Sequence, residues 1–144
     1  MADGMVLDTN VLSELMRPQP DARVVAWFDR NAEAAFFITA ITRAEILLGI
    51  DLLPTGRRKD ALAEASRKMF DQEFAGRSLP FDDQAADIYA RVVADRTRAG
   101  LPISTEDAQI AAISLKQGLP LATRNVKDFD NIAGLRIVDP WRVG

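Results

Sequence analysis

Three acids, with a few hydroxyls and amides around them, carry whatever chemistry this chain can perform. In MVLDTNVLSEL, residues 5–15, an apolar run stops at Asp8, two small polar residues follow, and an amphipathic pattern begins. Glu45 stands in ITRAEILLG (41–49), and Asp107 stands in STEDAQIAAISLKQG (104–118). The chain has no histidine and no cysteine. Ser-His-Asp and Cys-His nucleophile systems are therefore excluded, as are ordinary histidine- or thiolate-ligated zinc sites. Carboxylates, hydroxyls, amides, Lys, Arg and Tyr remain. Oxygen donors of this kind select hard cations such as Mg²⁺ or Mn²⁺.

Each acid also has a purely structural reading. Thr42-x-x-Glu45 matches a capping box, in which the glutamate returns a hydrogen bond to the cap residue. Ser104-x-x-Asp107 is a looser form of the same signature. Asp8 can cap the helix that follows it. Spacing leaves cap and ligand both open. Asp8 is the hardest to dismiss as a cap, because a carboxylate directly after a buried apolar run is desolvated unless a cation or several donors compensate. ATRNVKDF (122–129) adds Thr123 and Asn125 as hydrogen-bonding groups, Arg124 as a group that can meet a phosphate, and Asp128 as a further carboxylate. Its plain reading is a surface turn. Arg57, Arg58, Lys59, Arg67 and Lys68 read first as a solvated helix face.

The elements that must position these residues alternate in type. Strands are expected at 5–8, 34–39 and 135–140, with strand-like pieces at 77–81 and 119–125. Helices are expected at 9–16, 21–31, 42–53, 82–100 and 104–118, and one long exposed helix at 57–75. Gly100 with Pro102, and Gly118, stop two of them. Such alternation argues for an α/β sandwich around a mostly parallel sheet. Loops at the carboxyl ends of parallel strands share one edge, where ligand crevices form. Asp8 ends the first strand and Glu45 lies in the first turn after the second. Asp107 opens a helix whose preceding element does not read clearly as a strand.

At 144 residues, with 48% hydrophobic and 27% charged residues, the chain suits one globular domain spanning 1–144. No run reaches the length of a membrane span, no signal-peptide h-region opens the sequence, and cysteine is absent, so a cytoplasmic location without membrane contact is expected. A net charge of −3 gives no overall attraction to nucleic acid, so any such contact needs local basic patches.

The pieces together resemble a PIN domain, specifically a toxin ribonuclease of the VapC or FitB type. The resemblance covers almost the whole chain: LDTNVLSEL (7–15), ITRAEILLG (41–49), DAQIAA (107–112) and LATRNVKDF (121–129), in order. RPQP (17–20), RVVAW (23–27), LPFD (79–82) and VDPW (138–141) are similar to the FitB branch. The resemblance implies a PIN-like three-layer sandwich with a mostly parallel central sheet flanked by helices. It implies Mg²⁺, replaceable by Mn²⁺, bound by Asp8, Asp107 and Glu45, with Asn10 supporting the first aspartate and Thr123 beside the site. Many members carry a fourth acid after the Thr-Arg pair. Here that place is Asn125, whose amide brings no charge to a second metal, and Asp128 stands close by in sequence as the substitute acid.

The implied activity is metal-dependent endoribonucleolytic hydrolysis of RNA, neutralised by a cognate antitoxin, in a homodimer. The 42–75 region is the expected antitoxin groove. A non-catalytic PIN-like module that binds RNA or a partner protein is the alternative, with Asn125 as its support. A haloacid-dehalogenase-like phosphatase needs a D-x-D pair, and here the third residue is Asn10. Neither a P-loop nor a G-x-G-x-x-G is present.

Overall fold

A computed structural model describes residues 4–142. Five parallel strands form one sheet in the order β3-β2-β1-β4-β5: β1 Gly4–Leu7, β2 Ala35–Thr39, β3 Ser78–Leu79, β4 Leu121–Ala122 and β5 Ile137–Val138. Helices α1 (Thr9–Leu15) and α2 (Ala22–Arg30) join β1 to β2, and α3 (Ala40–Asp51) and α4 (Arg57–Lys68) join β2 to β3. Helices α5 (Asp83–Arg98) and α6 (Thr105–Gln117) join β3 to β4, and the short α7 (Val126–Phe129) joins β4 to β5. None of the described helices is long and apolar enough to cross a membrane.

Side-chain alternation along each strand divides the core into two layers. Leu7 and Ala122 pack with Val11, Leu12, Trp27, Ile46 and Phe70 on the α1–α4 side. Val6 and Leu121 face the other way, onto Val92, Ile110, Ala111 and Phe129. Register pairs Val6 with both Phe37 and Leu121, and Leu7 with Ala122. The ends of β1 and β4 therefore lie side by side.

Local chemistry fixes the helix starts nearest that edge. Ser104 caps α6 by accepting from the Asp107 N–H at 3.1 Å, and Gly118 ends it in a left-handed conformation (φ 67°) that glycine adopts without strain. Asp82 caps α5 and takes Lys116 Nζ at 2.7 Å, which ties the start of α5 to the end of α6. Buried Glu14 accepts from the Asp21 N–H at 2.8 Å and pairs with Arg17, locking the corner between α1 and α2.

One expectation changes, and one element left open is resolved. The 57–75 segment is not one exposed helix: α4 passes into a π-helical turn at Met69–Glu73, and Met69, Phe70 and Phe74 are buried. The charged first half of the segment masks this apolar end. No strand directly precedes α6, because α5 and α6 follow one another between β3 and β4.

Candidate functional site

The chain starts in the middle of the sheet, steps outward through β2 and β3, and returns to β4 on the other side of β1. Connections leaving β1 and β4 thus diverge, which opens a crevice at their carboxyl ends. Asp8 follows β1 and Thr123 follows β4, so residues 115 positions apart meet there. The Thr123 hydroxyl donates to Asp8 Oδ2 at 2.7 Å.

Asp8 is 3% exposed. Its Oδ1 accepts from the Thr9 N–H at 2.8 Å, and its Oδ2 also accepts from Asn10 Nδ2 at 3.2 Å. Burial raises its pKa above the ordinary carboxylate value. The Thr123 and Thr9 hydrogen bonds oppose that rise, and the negative charge of Glu45 adds to it. Asp8 does cap α1, but its side chain reaches only the first helical N–H, and the other carboxylate oxygen faces Thr123 and Asn10.

Asn10 knits the two loops together. Its Nδ2 donates to Asp8 and to Thr123 Oγ1, and its Oδ1 accepts from the Arg124 N–H at 3.1 Å. The Asn125 N–H donates to Thr123 Oγ1 at 3.0 Å, so Thr123 is held from three directions.

Glu45 reaches the crevice from α3. The helix is capped by Thr39, whose hydroxyl accepts from the Thr42 N–H at 3.0 Å, so Thr42 and Glu45 form no capping box. The reason is that α3 starts at Ala40 with Thr39 as its cap, three residues before the cap that the Thr42-x-x-Glu45 spacing suggests. Glu45 is consequently free of helix-capping duty. Its Oε1 accepts instead from the Thr9 hydroxyl at 2.7 Å, and Thr9 in turn stands 3.0 Å from the Thr42 hydroxyl. Sequence reasoning passed over Thr9. A hydroxyl directly after the first aspartate was the available signal.

Asp107 is half-buried in the first turn of α6. Burial first, then the charge of Asp8, and further the charges of Asp128 and Glu45 push its pKa from 3.8 up to about 6, against the Ser104 hydrogen bond. The four acids therefore share one electrostatic neighbourhood. Exposed Asp128 takes part through its field, whereas exposed Asn125 contributes its backbone N–H. Arg124 turns away: its guanidinium lies 4.9 Å from the centroid of the Trp141 ring.

Among the described residues no three acids are drawn together closely enough to enclose a cation as they stand. Like charges sharing a pocket repel, and Mg²⁺ needs only one or two direct carboxylates. The donor set fits such an ion. It is all oxygen, it carries surplus negative charge, and its most buried member is held by neutral donors rather than by an arginine or lysine. From Thr9 and Glu45 a mainly apolar groove of about 550 Å³ runs between α1, α3 and α4, past Met16, Ile46 and Leu62. Leu48 of α3 and Leu52 at its C-cap are 59% and 75% exposed.

Known proteins resemble this chain along nearly its full length. The PIN domain family profile matches residues 5–135. The toxin FitB of Neisseria gonorrhoeae is 41% identical over 137 residues, covering 95% of this chain and 98% of that protein. The VapC ribonuclease Y4jK of Sinorhizobium fredii is 38% identical over 137 residues, covering 95% and 97%. The crystal structure of FitAcB from Neisseria gonorrhoeae superposes with a TM-score of 0.85 at 39% identity, covering 96% of this chain and 99% of that one.

Proposed function

The chain belongs to the PIN-domain family, and on that footing we propose that it is a metal-dependent endoribonuclease toxin hydrolysing RNA phosphodiester bonds. Asp8 and Asp107 are the principal ligands for Mg²⁺, for which Mn²⁺ substitutes, and Glu45 binds through water or orients the attacking water. The observation that carries this reading is the convergence of three carboxylates on one crevice: Asp8 at the N-cap of α1, Glu45 from the second turn of α3 and Asp107 from the first turn of α6. The charge of Glu45 acts on Asp8, and those of Asp8 and Glu45 act on Asp107. The relatives' names, a VapC ribonuclease and a toxin, point the same way.

When bound, a hard dication offsets the negative charge of the scissile phosphate and acidifies water at the site. The chain's own residues do the rest. Thr9, Asn10 and Thr123 hold the Asp8 carboxylate in one orientation, so that one carboxylate faces the crevice without rearrangement. Thr9 also steers Glu45 toward the same crevice. Asp107, with its elevated pKa, holds a proton more readily than an ordinary aspartate and releases it when positive charge arrives. The Asn125 amide adds no charge, and Asp128 supplies the fourth negative field.

The direct test is RNA cleavage with and without a chelator. Chelation should abolish cleavage by the wild type, and Asp8→Asn should lower it by more than about 100-fold with the circular dichroism spectrum unchanged, since even outer-shell changes at metal sites cost 10–100-fold. Undiminished cleavage by Asp8→Asn refutes the assignment. Mn²⁺ titration without any response, together with no cleavage of any RNA, favours a non-catalytic binding module.

The same reading includes a cognate antitoxin. The groove between α1, α3 and α4, together with the exposed apolar Leu48 of α3 and Leu52 at its C-cap, is its proposed seat. Leu48→Glu should weaken antitoxin binding by roughly 10-fold in a titration, the scale of one buried leucine lost from an interface. Unaltered affinity moves the seat elsewhere. A homodimer and a cytoplasmic location complete the proposal.

A further inference from the structure

A second groove, of about 470 Å³, opens at the ends of β4 and β5 and is lined by Arg124, Lys127, Arg142, Asn125, Asp128 and Asp139. It adjoins the acidic crevice. Asp128 acts on Asp107, and the Arg124 N–H is held by Asn10, which also binds Asp8. The two sites differ in balance: carboxylates dominate one, and three cations outnumber Asp128 and Asp139 in the other.

These cations are only lightly engaged. Among the described residues neither Arg124 nor Lys127 enters an ion pair. Two of the nearby acids are already engaged. Asp139 takes the Trp141 N–H at 2.9 Å and stands 3.6 Å from Arg142, and Asp21, which feels the Arg124 charge, is bound to Arg23 at 2.8 Å. Trp141 is 5% exposed and packed into the α1–α4 side of the core, so its ring is a fixed platform. Arg124 lies over that platform, held by the attraction of a cation for an aromatic face. An exposed arginine is thereby kept at one place over Trp141, with its backbone tied to the crevice through Asn10 and its guanidinium outside every ion pair among the described residues.

A polyanion approaching this chain meets a net charge of −3 and a pocket of acids, so its affinity must come from local cations. We propose that Arg124, Lys127 and Arg142 form a phosphate-binding rim that carries the RNA backbone flanking the scissile bond, and that Trp141 is a positioning residue acting through Arg124. This rests on the nuclease reading given above. The planar fork of arginine suits phosphate oxygens, and lysine adds a point charge beside it.

The experiment uses the full chain and a single-stranded RNA oligonucleotide. Binding is followed against salt concentration in the Asp8→Asn background, and cleavage kinetics in the otherwise wild-type chain. Arg124→Ala with Lys127→Ala should reduce the slope of log K against log salt by about 0.7 for each phosphate contact removed. It should raise KM by roughly 10-fold or more while kcat stays within about threefold, the pattern of lost uniform binding. Trp141→Phe, which keeps an aromatic face, should behave as wild type, and Trp141→Leu should reproduce the KM defect of Arg124→Ala. If Trp141→Leu fails to fold, Arg124→Lys against Arg124→Ala still measures the rim.

An unchanged slope and KM in the double variant, with wild-type cleavage intact, overturns the rim and leaves the nuclease reading standing. Salt-dependent binding that requires Arg124 and Lys127 in a chain that cleaves nothing keeps these cations as the phosphate contacts and sinks the nuclease reading, and with it their place beside a scissile bond. Neither binding nor cleavage by the wild type removes both.

Discussion

The two walls of the acidic crevice hold their carboxylates in opposite ways. On the β1–β4 wall, Asp8 is buried and surrounded by neutral donors: a backbone N–H, an amide and a hydroxyl. On the α6 wall, the Asp107 carboxylate is half-buried, is favoured only by the Ser104 side chain, and otherwise feels negative neighbours. Hydrogen bonds that favour the charged form lower a carboxylate's pKa, whereas burial and like charges raise it. The first wall therefore fixes geometry. The second stores repulsion that a cation would relieve.

Variants that exchange these characters should break the comparison, and the largest effect belongs on the first wall. Thr123→Val removes a donor from a buried carboxylate and also disturbs Asn10 and Asn125. It should destabilise the fold by about 2–3 kcal/mol in urea unfolding and reduce cleavage by roughly 10–100-fold. A loss below about 0.5 kcal/mol would mean that Asp8 does not depend on its neutral donors.

On the second wall the sign reverses. Between pH 3.8 and about 6 the folded chain keeps a proton on Asp107 that the unfolded chain has released. Folding takes up that proton, so the metal-free protein loses stability as pH rises through this window, and the loss is complete above it. Asp107→Asn should reduce that fall, leaving the part that the raised pKa of Asp8 contributes, and make the metal-free protein more stable at pH 7 by about 1 kcal/mol, after allowance for solvent screening of a half-exposed group. The same substitution should weaken Mn²⁺ binding. A stability gain that vanishes when Mn²⁺ is added to the wild type would sharpen the comparison, and a loss of stability without metal would contradict it.

The legible parts of this arrangement were those with a local cause. Asp8 after an apolar run, the Ser104 cap, Gly118 and the alternation of strands with helices all stand in short stretches whose chemistry is self-contained. Glu45 could be named, but not freed from its apparent capping box, because Thr39 takes over the cap through a helix start that periodicity does not mark. Strands β3, β4 and β5 are two residues each, too short for alternation to register. Pairings across the fold were out of reach: Thr9 with Glu45, and Arg124 over Trp141, depend on the order of strands in the sheet. Buried Arg96 belongs to the same class, since it serves the carbonyls of Leu101 and Asp130 rather than an acid.

Diffraction at the manganese edge from crystals grown with Mn²⁺ would probe the heart of this account. An anomalous peak bonded to carboxylate oxygens of Asp8 and Asp107, with Glu45 directed toward it, is the predicted result. No peak in that crevice, with each acid turned to the amides of its own helix, would contradict it.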